Sequence, residues 1–203
     1  AVRDDQPFAL RSPKNGEVLR TVGARKLWQK ILETRLQTGE PYLLFSDTAN
    51  RQLAPHQQEL GLTVRQSNLC SEILLPTGVD HLGKARTAVC CLSSVNFETW
   101  EQWSTEPRFI EDLLRMLDNV LQDFIDHAPA SMNTARYSAM RERSVGLGAM
   151  GFHSWLQNNG IPFESALARA ANLRMFKHLR RAADDASRVL AEERGACPDA
   201  AER

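Results

Sequence analysis

Three residues with chemically useful side chains alternate along one short segment: Asn68, Cys70 and Glu72. In an extended segment, a spacing of two residues places all three side chains on one side. A thiol placed there could react, a carboxylate could accept a proton, and an amide could hold a substrate hydroxyl. A polar strand or turn around a buried structural cysteine would show the same spacing, because cysteine is often a core residue. The spacing alone leaves both interpretations open.

A second group of thiols, Cys90 and Cys91, lies on an apolar run that has the length of a buried strand. Adjacent cysteines cannot easily bond to each other without backbone strain, so a redox-active member needs a partner elsewhere in the fold. The sequence has no Cys-x-x-Cys pair, and its five histidines are scattered. These features argue against a zinc site, and we predict no metal ligands in this chain.

Residues 146–151 read Gly-Leu-Gly-Ala-Met-Gly and match the dinucleotide-binding pattern G-x-G-x-x-G. That pattern should follow an apolar strand, whereas the residues before it, 141–144, are polar or charged. We therefore interpret the glycines as sites of close helix packing rather than as a nucleotide site.

Hydrophobic periodicity and helix-stopping residues predict the elements that position these groups. Four segments have helical spacing or helix boundaries: residues 24–39, 109–124, 144–157 and 163–194. Short apolar runs predict buried strands over residues 41–45 and 87–92, and residues 47–67 are predicted to form short helical turns and loop. The apolar residues of the second helix trace one predicted face: Phe109, Leu113, Met116, Leu117, Val120, Leu121 and Phe124.

The composition limits the class of protein. A chain of 203 residues with 42% hydrophobic and 25% charged residues is typical of a globular domain. Lys plus Arg and Asp plus Glu both number 25, so the formal net charge is zero, which argues against nucleic acid as a partner. The apolar runs are too short for a membrane span, and the first residues lack a signal-peptide pattern. We therefore expect a cytoplasmic protein with reduced cysteines.

Two motifs in a fixed order give a more specific indication. Residues 64–73 read Val-Arg-Gln-Ser-Asn-Leu-Cys-Ser-Glu-Ile, and Leu-Pro-Thr follows at 75–77. Residues 88–96 read Ala-Val-Cys-Cys-Leu-Ser-Ser-Val-Asn. Together they closely resemble the large (α) subunit of class I ribonucleotide reductase. The resemblance continues through residues 141–151 and 195–198, and it covers most of the chain.

The resemblance implies a ten-stranded α/β barrel in which a finger loop, near residues 67–73, carries the essential cysteine to the centre. Residues 1–203 are accordingly expected to be a fragment of a single catalytic barrel domain, with a partial barrel and a helix-rich second half. A partial barrel leaves strand edges uncovered, so we expect the isolated chain to be inactive and poorly stable.

The resemblance also implies the reaction: a radical-based reduction of ribonucleoside diphosphates to deoxyribonucleoside diphosphates. Cys70 matches the cysteine that becomes a transient thiyl radical, and Glu72 matches the carboxylate that takes the 3′ hydroxyl proton. Asn68 matches an amide that hydrogen-bonds within the active site, and Cys90 matches one half of the redox-active pair. The residues expected to line the substrate site are Asn68, Leu69, Cys70, Ser71 and Glu72.

No cofactor is expected in this chain itself. The resemblance implies a radical from a metal cofactor in a small (β) subunit, thioredoxin or glutaredoxin as the external reductant, and an α-subunit homodimer. The family's partner for Cys90, its radical-relay tyrosines and its C-terminal cysteines would lie outside this chain. Two alternatives are an adenosylcobalamin-dependent reductase of the same superfamily and a non-catalytic helical interaction domain with buried cysteines. Leu69 and Ser71, at the variable positions of the loop motif, favour class I.

Overall fold

The computed structural model describes residues 1–202, and the chain divides into two compact units at Phe45. The first unit is a β-hairpin followed by a helix. Strand β1 (Pro7–Arg11) pairs in antiparallel fashion with β2 (Val18–Gly23), and helix α1 (Ala24–Thr38) follows β2 directly. Helix α1 confirms the helix predicted for this part of the sequence.

Gly39 ends α1 as the helix-stopping pattern predicts. Its N–H donates to the Arg35 carbonyl at 2.8 Å, which satisfies one of the last free carbonyls of the helix. Gly39 has a φ of 79°, a left-handed conformation that glycine adopts without a clash from Cβ.

The prediction of a strand over residues 41–45 is wrong. This segment forms no strand, and the side chains of Tyr42 and Phe45 are 54% and 70% exposed. Pro41 has no N–H to donate to a ladder, and no strand of the described residues pairs with the segment. An apolar run of this length therefore does not by itself make a strand.

The second unit, from Ser46 onward, mixes helices with short strands. Its elements in chain order are α2 (Ser46–Arg51), α3 (Pro55–Glu59), β3 (Gly78–Val79), β4 (Ala85–Arg86), β5 (Leu92–Asn96), α4 (Trp100–Trp103), α5 (Phe109–His127), α6 (Asn133–Glu142), β6 (Gly146–Met150), α7 (Phe152–Asn158), α8 (Ala166–Arg194) and α9 (Pro198–Ala201). The short helices α2 and α3 and the long helices α5 and α8 confirm the sequence predictions. None of the helices within residues 1–202 is both long enough and apolar enough to cross a membrane.

Strands β5 and β6 form a parallel pair that corrects two predictions. The helix expected over residues 144–157 is a strand in its first half, and the strand expected over residues 87–92 begins only at Leu92. The pairing places Leu92 opposite Gly146. A Cβ on Gly146 would lie 2.4 Å from Leu92 Cδ2, so glycine permits this close approach. The glycines do serve close packing, but between two strands rather than between helices.

Helix α5 packs against α8, and its buried side differs in part from the predicted face. Met116 and Val120 are 46% and 55% exposed, although both were expected on the apolar face. Apolar residues occupy more of the helix circumference than one stripe, so contact with α8 selects which of them become buried. The buried apolar residues of α5 are Ile110, Leu114, Leu117, Leu121 and Ile125.

An aromatic cluster closes the end of β5. The side chain of Phe97 has 0% exposure and stacks on Trp103, with a ring distance of 5.8 Å. The indole N–H of Trp103 donates to the Asn96 carbonyl at 3.0 Å. The ring of Phe176, from α8, meets Phe97 edge-on at 5.1 Å. These contacts fix the last residue of β5 to the helical layer.

A buried ion-pair network joins the β3–β4 hairpin, α6 and the C-terminal helix α9. It consists of Asp80, Arg86, Arg141 and Asp199, and the exposed Glu202 lies at its edge. The Arg86 guanidinium donates to both Asp199 carboxylate oxygens, at 2.6 and 2.9 Å, and to Asp80 at 2.9 Å. The Arg141 Nε–H donates to Asp199 at 2.8 Å, and its terminal nitrogens bind Glu202. Burial would raise the pKa of Asp199, but the two arginines outweigh it and hold that pKa below its usual value.

Candidate active site

A cleft of about 570 Å³ opens between the segment after Asn68 and the β5–β6 pair. Three chain segments line it: residues 72–75, residues 89–94 with a gap at Cys90, and residues 144–148. The parallel pairing of β5 with β6 therefore brings together two motifs that lie far apart in the sequence.

The finger loop (residues 67–73) is a tight turn closed by its own side chains. The Ser71 N–H donates to the Asn68 carbonyl at 3.1 Å, and Ser71 adopts a left-handed φ of 68°. The Ile73 N–H donates to Asn68 Oδ1 at 3.0 Å. The Ser67 hydroxyl donates to the Ile73 carbonyl at 2.7 Å. The loop is thus secured across its base, while its tip makes none of these bonds.

This geometry corrects the extended arrangement expected for the alternating trio. The period of two residues requires extended backbone, and the turn at Ser71 breaks that period. Asn68 is half-buried and directs its amide oxygen back into the loop, whereas Cys70 is exposed at the tip. Glu72 is the member of the trio that lines the cleft.

The two adjacent cysteines lie in different environments. Cys90 is exposed, whereas Cys91 is 8% exposed and its thiol donates to the Leu117 carbonyl at 3.4 Å. Burial raises the pKa of the Cys91 thiol, and negative charge at Cys90 and Asp118 adds to that shift. Cys91 is therefore a packing residue, and Cys90 is the thiol of the pair that a reagent can reach.

The cleft does not bring the expected site residues together, because Glu72 alone among them lines it. Of the expected substrate-site residues, Glu72 lines the cleft, and Leu69 lies at the loop tip with 86% exposure. Asn68, Cys70, Ser71 and Cys90 do not line it.

The residue spacing in the sequence did not predict the side of the cleft that carries serine hydroxyls and glycines. That side is formed by Ser93, Ser94, Ser144, Gly146 and Gly148. The available signals were the Ser-Ser pair in the second motif and the G-x-G pattern, which marks a strand here. Because the sequence analysis placed these glycines in a helix, it did not predict that β6 lines the cleft.

The cleft has a mostly apolar lining with a few polar groups that can bind an organic molecule bearing hydroxyl groups. Among the described residues that line it, Glu72 is the one with a charged side chain, and three serines supply hydroxyl groups. A carboxylate that is exposed on the cleft wall can accept a proton, and hydroxyls beside glycine backbone can donate to substrate oxygens. Within residues 1–202, no group of three or more His, Cys, Asp or Glu residues is placed to hold a metal ion.

Comparison with known proteins places this architecture in a family. The family model for the ribonucleotide reductase barrel domain matches residues 9–202. A relative from Frog virus 3 (isolate Goorha) is 53% identical over 201 residues, covering 98% of this chain and 34% of the relative. The ribonucleoside-diphosphate reductase large subunit of Invertebrate iridescent virus 3 is 45% identical over 190 residues, covering 94% of this chain and 29% of that subunit.

A solved structure agrees with the sequence relatives. The class Id ribonucleotide reductase alpha subunit of Actinobacillus ureae matches with a TM-score of 0.78 and 37% identity, over 86% of this chain and 33% of that subunit. The matched region is mixed helix and strand, and the barrel is not closed by the strands described here. The chain spans 34% and 29% of the lengths of the two viral relatives. The chain belongs to the ribonucleotide reductase family and corresponds to part of its barrel domain.

Proposed function

We propose that this chain is part of the large subunit of a ribonucleoside-diphosphate reductase, which makes deoxyribonucleoside diphosphates for DNA synthesis. The observation that carries the proposal is the meeting of two family motifs at one cleft, Glu72 from the finger loop and Ser93–Ser94 from β5. The large-subunit name of the relative from Invertebrate iridescent virus 3 supports it. The full-length subunit is the longer protein that would contain this chain.

In the proposed reaction, a thiyl radical on Cys70 removes the 3′ hydrogen atom of the ribose. Glu72 takes the proton of the 3′ hydroxyl, and the 2′ hydroxyl leaves as water after it gains a proton from a thiol. Cys90 and a second cysteine of the full-length subunit give up their two thiol hydrogens, one as the proton of the leaving water and one to the 2′ carbon, and they supply two electrons and become a disulfide. Glu72 returns its proton to the 3′ oxygen. Cys70 then returns the hydrogen atom to the 3′ carbon. No contact within the described residues buries Cys70 or Cys90, which is compatible with these roles.

The finger loop supports a positioning role for Asn68. Its amide oxygen holds the Ile73 N–H, so Asn68 fixes the direction in which Glu72 leaves the loop. The amide N–H₂ group of Asn68 is then the part available for a substrate hydroxyl. Leu69 and Ser71 complete the substrate contacts in this proposal.

The partners of the full-length subunit belong to the same proposal. A small subunit would supply the radical from its metal cofactor, thioredoxin or glutaredoxin would reduce the disulfide, and two large subunits would form a homodimer. All four cysteines of the chain are free, which fits a reducing, cytoplasmic setting. The similarity to a class Id alpha subunit favours a class I enzyme over the adenosylcobalamin-dependent alternative.

A non-catalytic interaction domain is less well supported. That alternative needs buried cysteines, and only Cys91 among the four is buried. We also propose that residues 1–203 are a piece of a single barrel domain and that this piece is inactive and poorly stable alone. The outer edges of β5 and β6 pair with no strand in the described part of the chain, so the rest of the barrel has to cover them.

The test is reduction of cytidine diphosphate by the full-length subunit with dithiothreitol, with either the small subunit or adenosylcobalamin added. Turnover that depends on the small subunit supports class I, whereas turnover with adenosylcobalamin alone supports the alternative. Cys70→Ser should abolish turnover. Cys197→Ser is the matched control, since Cys197 is a free cysteine outside the cleft lining. Equal turnover of both variants would contradict the role of Cys70.

A further inference from the structure

A second cavity of about 490 Å³, named the back cavity here, lies behind the cleft and is bordered by α3, α5, α8 and α9. Leu75, Ser144 and Val145 line both the cleft and the back cavity, and they form a shared wall. The wall leads directly into β6, where the Gly146 N–H donates to the Cys91 carbonyl at 2.9 Å. A movement of the wall would therefore change the shape of the cleft.

Glu142, the last residue of α6, lies beside this wall and lines the back cavity. Glu142 is only 8% exposed, and its side-chain Oε2 atom is buried without a hydrogen-bond partner. The nearby Ser144 hydroxyl lowers the pKa of the carboxyl group. Buried carboxylates are normally paired, so an unpartnered oxygen favours the neutral acid.

The cations near Glu142 are already engaged. Arg86 is bound to Asp199 and Asp80 within the buried ion-pair network. Arg143, the next residue, donates to Asp118 at 2.6 Å and to Gln122 at 2.7 Å. The titratable or charged side chains that line the back cavity besides Glu142 are His56, Asp118, Arg143, Arg194 and Cys197.

These surroundings set the protonation of Glu142. Burial raises its pKa to about 7, and the charge of Asp199 adds to the rise. The charge of Arg86 and the nearby Ser144 hydroxyl oppose the rise in pKa without cancelling it. Glu142 therefore changes charge near neutral pH, in a place where its ionised form has no partner for Oε2.

We propose that Glu142 is a positioning residue for the cleft: its neutral carboxyl keeps the shared wall in place, and its ionisation draws the wall toward the back cavity. The ionised oxygen needs water or donors, and the back cavity, which Glu142 lines, is a space that can supply them. Because Ser144 follows Glu142 by two residues and lines both the back cavity and the cleft, the movement reaches the cleft. The link to catalysis rests on the proposed function, whereas the movement itself does not.

The movement can be measured without activity, by hydrogen exchange of the Val145, Gly146 and Leu147 amides in the full-length subunit. Between pH 6 and 8.5 the ionised fraction of a group with a pKa of about 7 rises about tenfold. After correction for intrinsic exchange, protection in the wild-type protein should fall by about the same factor. Glu142→Gln should remove this decrease, and Glu164→Gln, an exposed matched control, should retain it. An equal decrease in the wild type and Glu142→Gln would overturn the proposal.

Two further variants keep the test decisive. Ser144→Ala removes a hydroxyl that lowers the pKa of Glu142, so the midpoint of the exchange change should move to higher pH. An unmoved midpoint contradicts the proposal even if Glu142→Gln does not fold. His56→Gln should retain the pH-dependent change, and loss of the change in this variant would contradict its assignment to Glu142.

The catalytic consequence is tested on cytidine diphosphate reduction. The kcat/KM of the wild type should fall above about pH 7, and Glu142→Gln should flatten that part of the profile while Glu164→Gln preserves it. Wild-type turnover with an identical profile in Glu142→Gln would reject the positioning role and leave the proposed function standing. Absent wild-type turnover would reject the proposed function, and the exchange measurement would still decide on the movement.

Discussion

The finger loop and the buried ion-pair network hold their residues in contrasting ways. The finger loop is closed by hydrogen bonds between residues at most six positions apart, and its tip is exposed. The network joins Arg86 to Asp199 across 113 positions, and both side chains are almost fully buried. The molecule thus separates the part that would react from the part that fixes the fold. Variants in the two regions should affect different measurements.

The largest stability effect is expected from Asp199→Ala. The change leaves Arg86 and Arg141 buried without their shared carboxylate, and breaking a buried pair costs about 3–5 kcal/mol. Urea unfolding of the full-length subunit should show this loss. Asp184→Ala removes an exposed partner of Arg180 and should cost no more than about 0.5 kcal/mol. Similar losses for both variants would refute the special status of the network.

A pH-dependent effect is expected from Glu142→Gln, which changes a buried side chain at the edge of the network. The folded pKa of about 7 lies above the ordinary 4.5, so the folded state binds this proton more tightly than the unfolded state. The stabilisation is complete below pH 4.5 and is lost as pH rises through 7. The difference in unfolding free energy between Glu142→Gln and the wild type should therefore move in favour of Glu142→Gln by about 2–3 kcal/mol between pH 4.5 and 8.5. A difference that is constant with pH would exclude a raised pKa.

The sequence predicts the long helices well because their signals are local. The apolar spacing of α5 and the stop at Gly39 of α1 are both visible in the residues themselves. The strand β6 escaped prediction because glycine-rich residues carry little strand preference and gain their role from pairing with β5. Pairing across more than fifty positions is not visible in spacing, so the cleft could not be assembled from motifs alone.

In the candidate site, too, some features were predicted from the sequence and others depend on contacts between distant segments. The family resemblance singled out Cys70 and Glu72, but spacing predicted an extended arrangement that the turn at Ser71 replaces. The different surroundings of Cys90 and Cys91 depend on Leu117, which comes from α5. Nothing in the local sequence marked Glu142, because its raised pKa arises from burial at a helix end and from the charge of Asp199.

A smaller effect on stability and a large effect on turnover are expected from Asn68→Ala. The change removes the acceptor for the Ile73 N–H, and one hydrogen bond contributes about 1 kcal/mol. The direction of Glu72 is no longer fixed, so cytidine diphosphate reduction should fall much more than stability does. Stability is measured by urea unfolding, and loop opening by limited proteolysis. A loss of stability as large as that of Asp199→Ala would erase the contrast between the two regions.

The smallest effect is expected from Ser71→Gly, which changes the finger loop without touching its hydrogen bonds. Ser71 has a φ of 68°, and a left-handed conformation costs a residue with Cβ roughly 1–2 kcal/mol. Glycine avoids that cost but gains freedom in the unfolded chain, so the net stabilisation should be about 0.5 kcal/mol. Ser71→Val should destabilise the loop, because a β-branched side chain tolerates this φ poorly. If the changes in unfolding free energy measured in urea have opposite signs for the two variants, the turn is held against the backbone preference of residue 71. Equal signs would show that the loop relaxes to another conformation, in which case the direction of Glu72 is set by the cleft rather than by the turn.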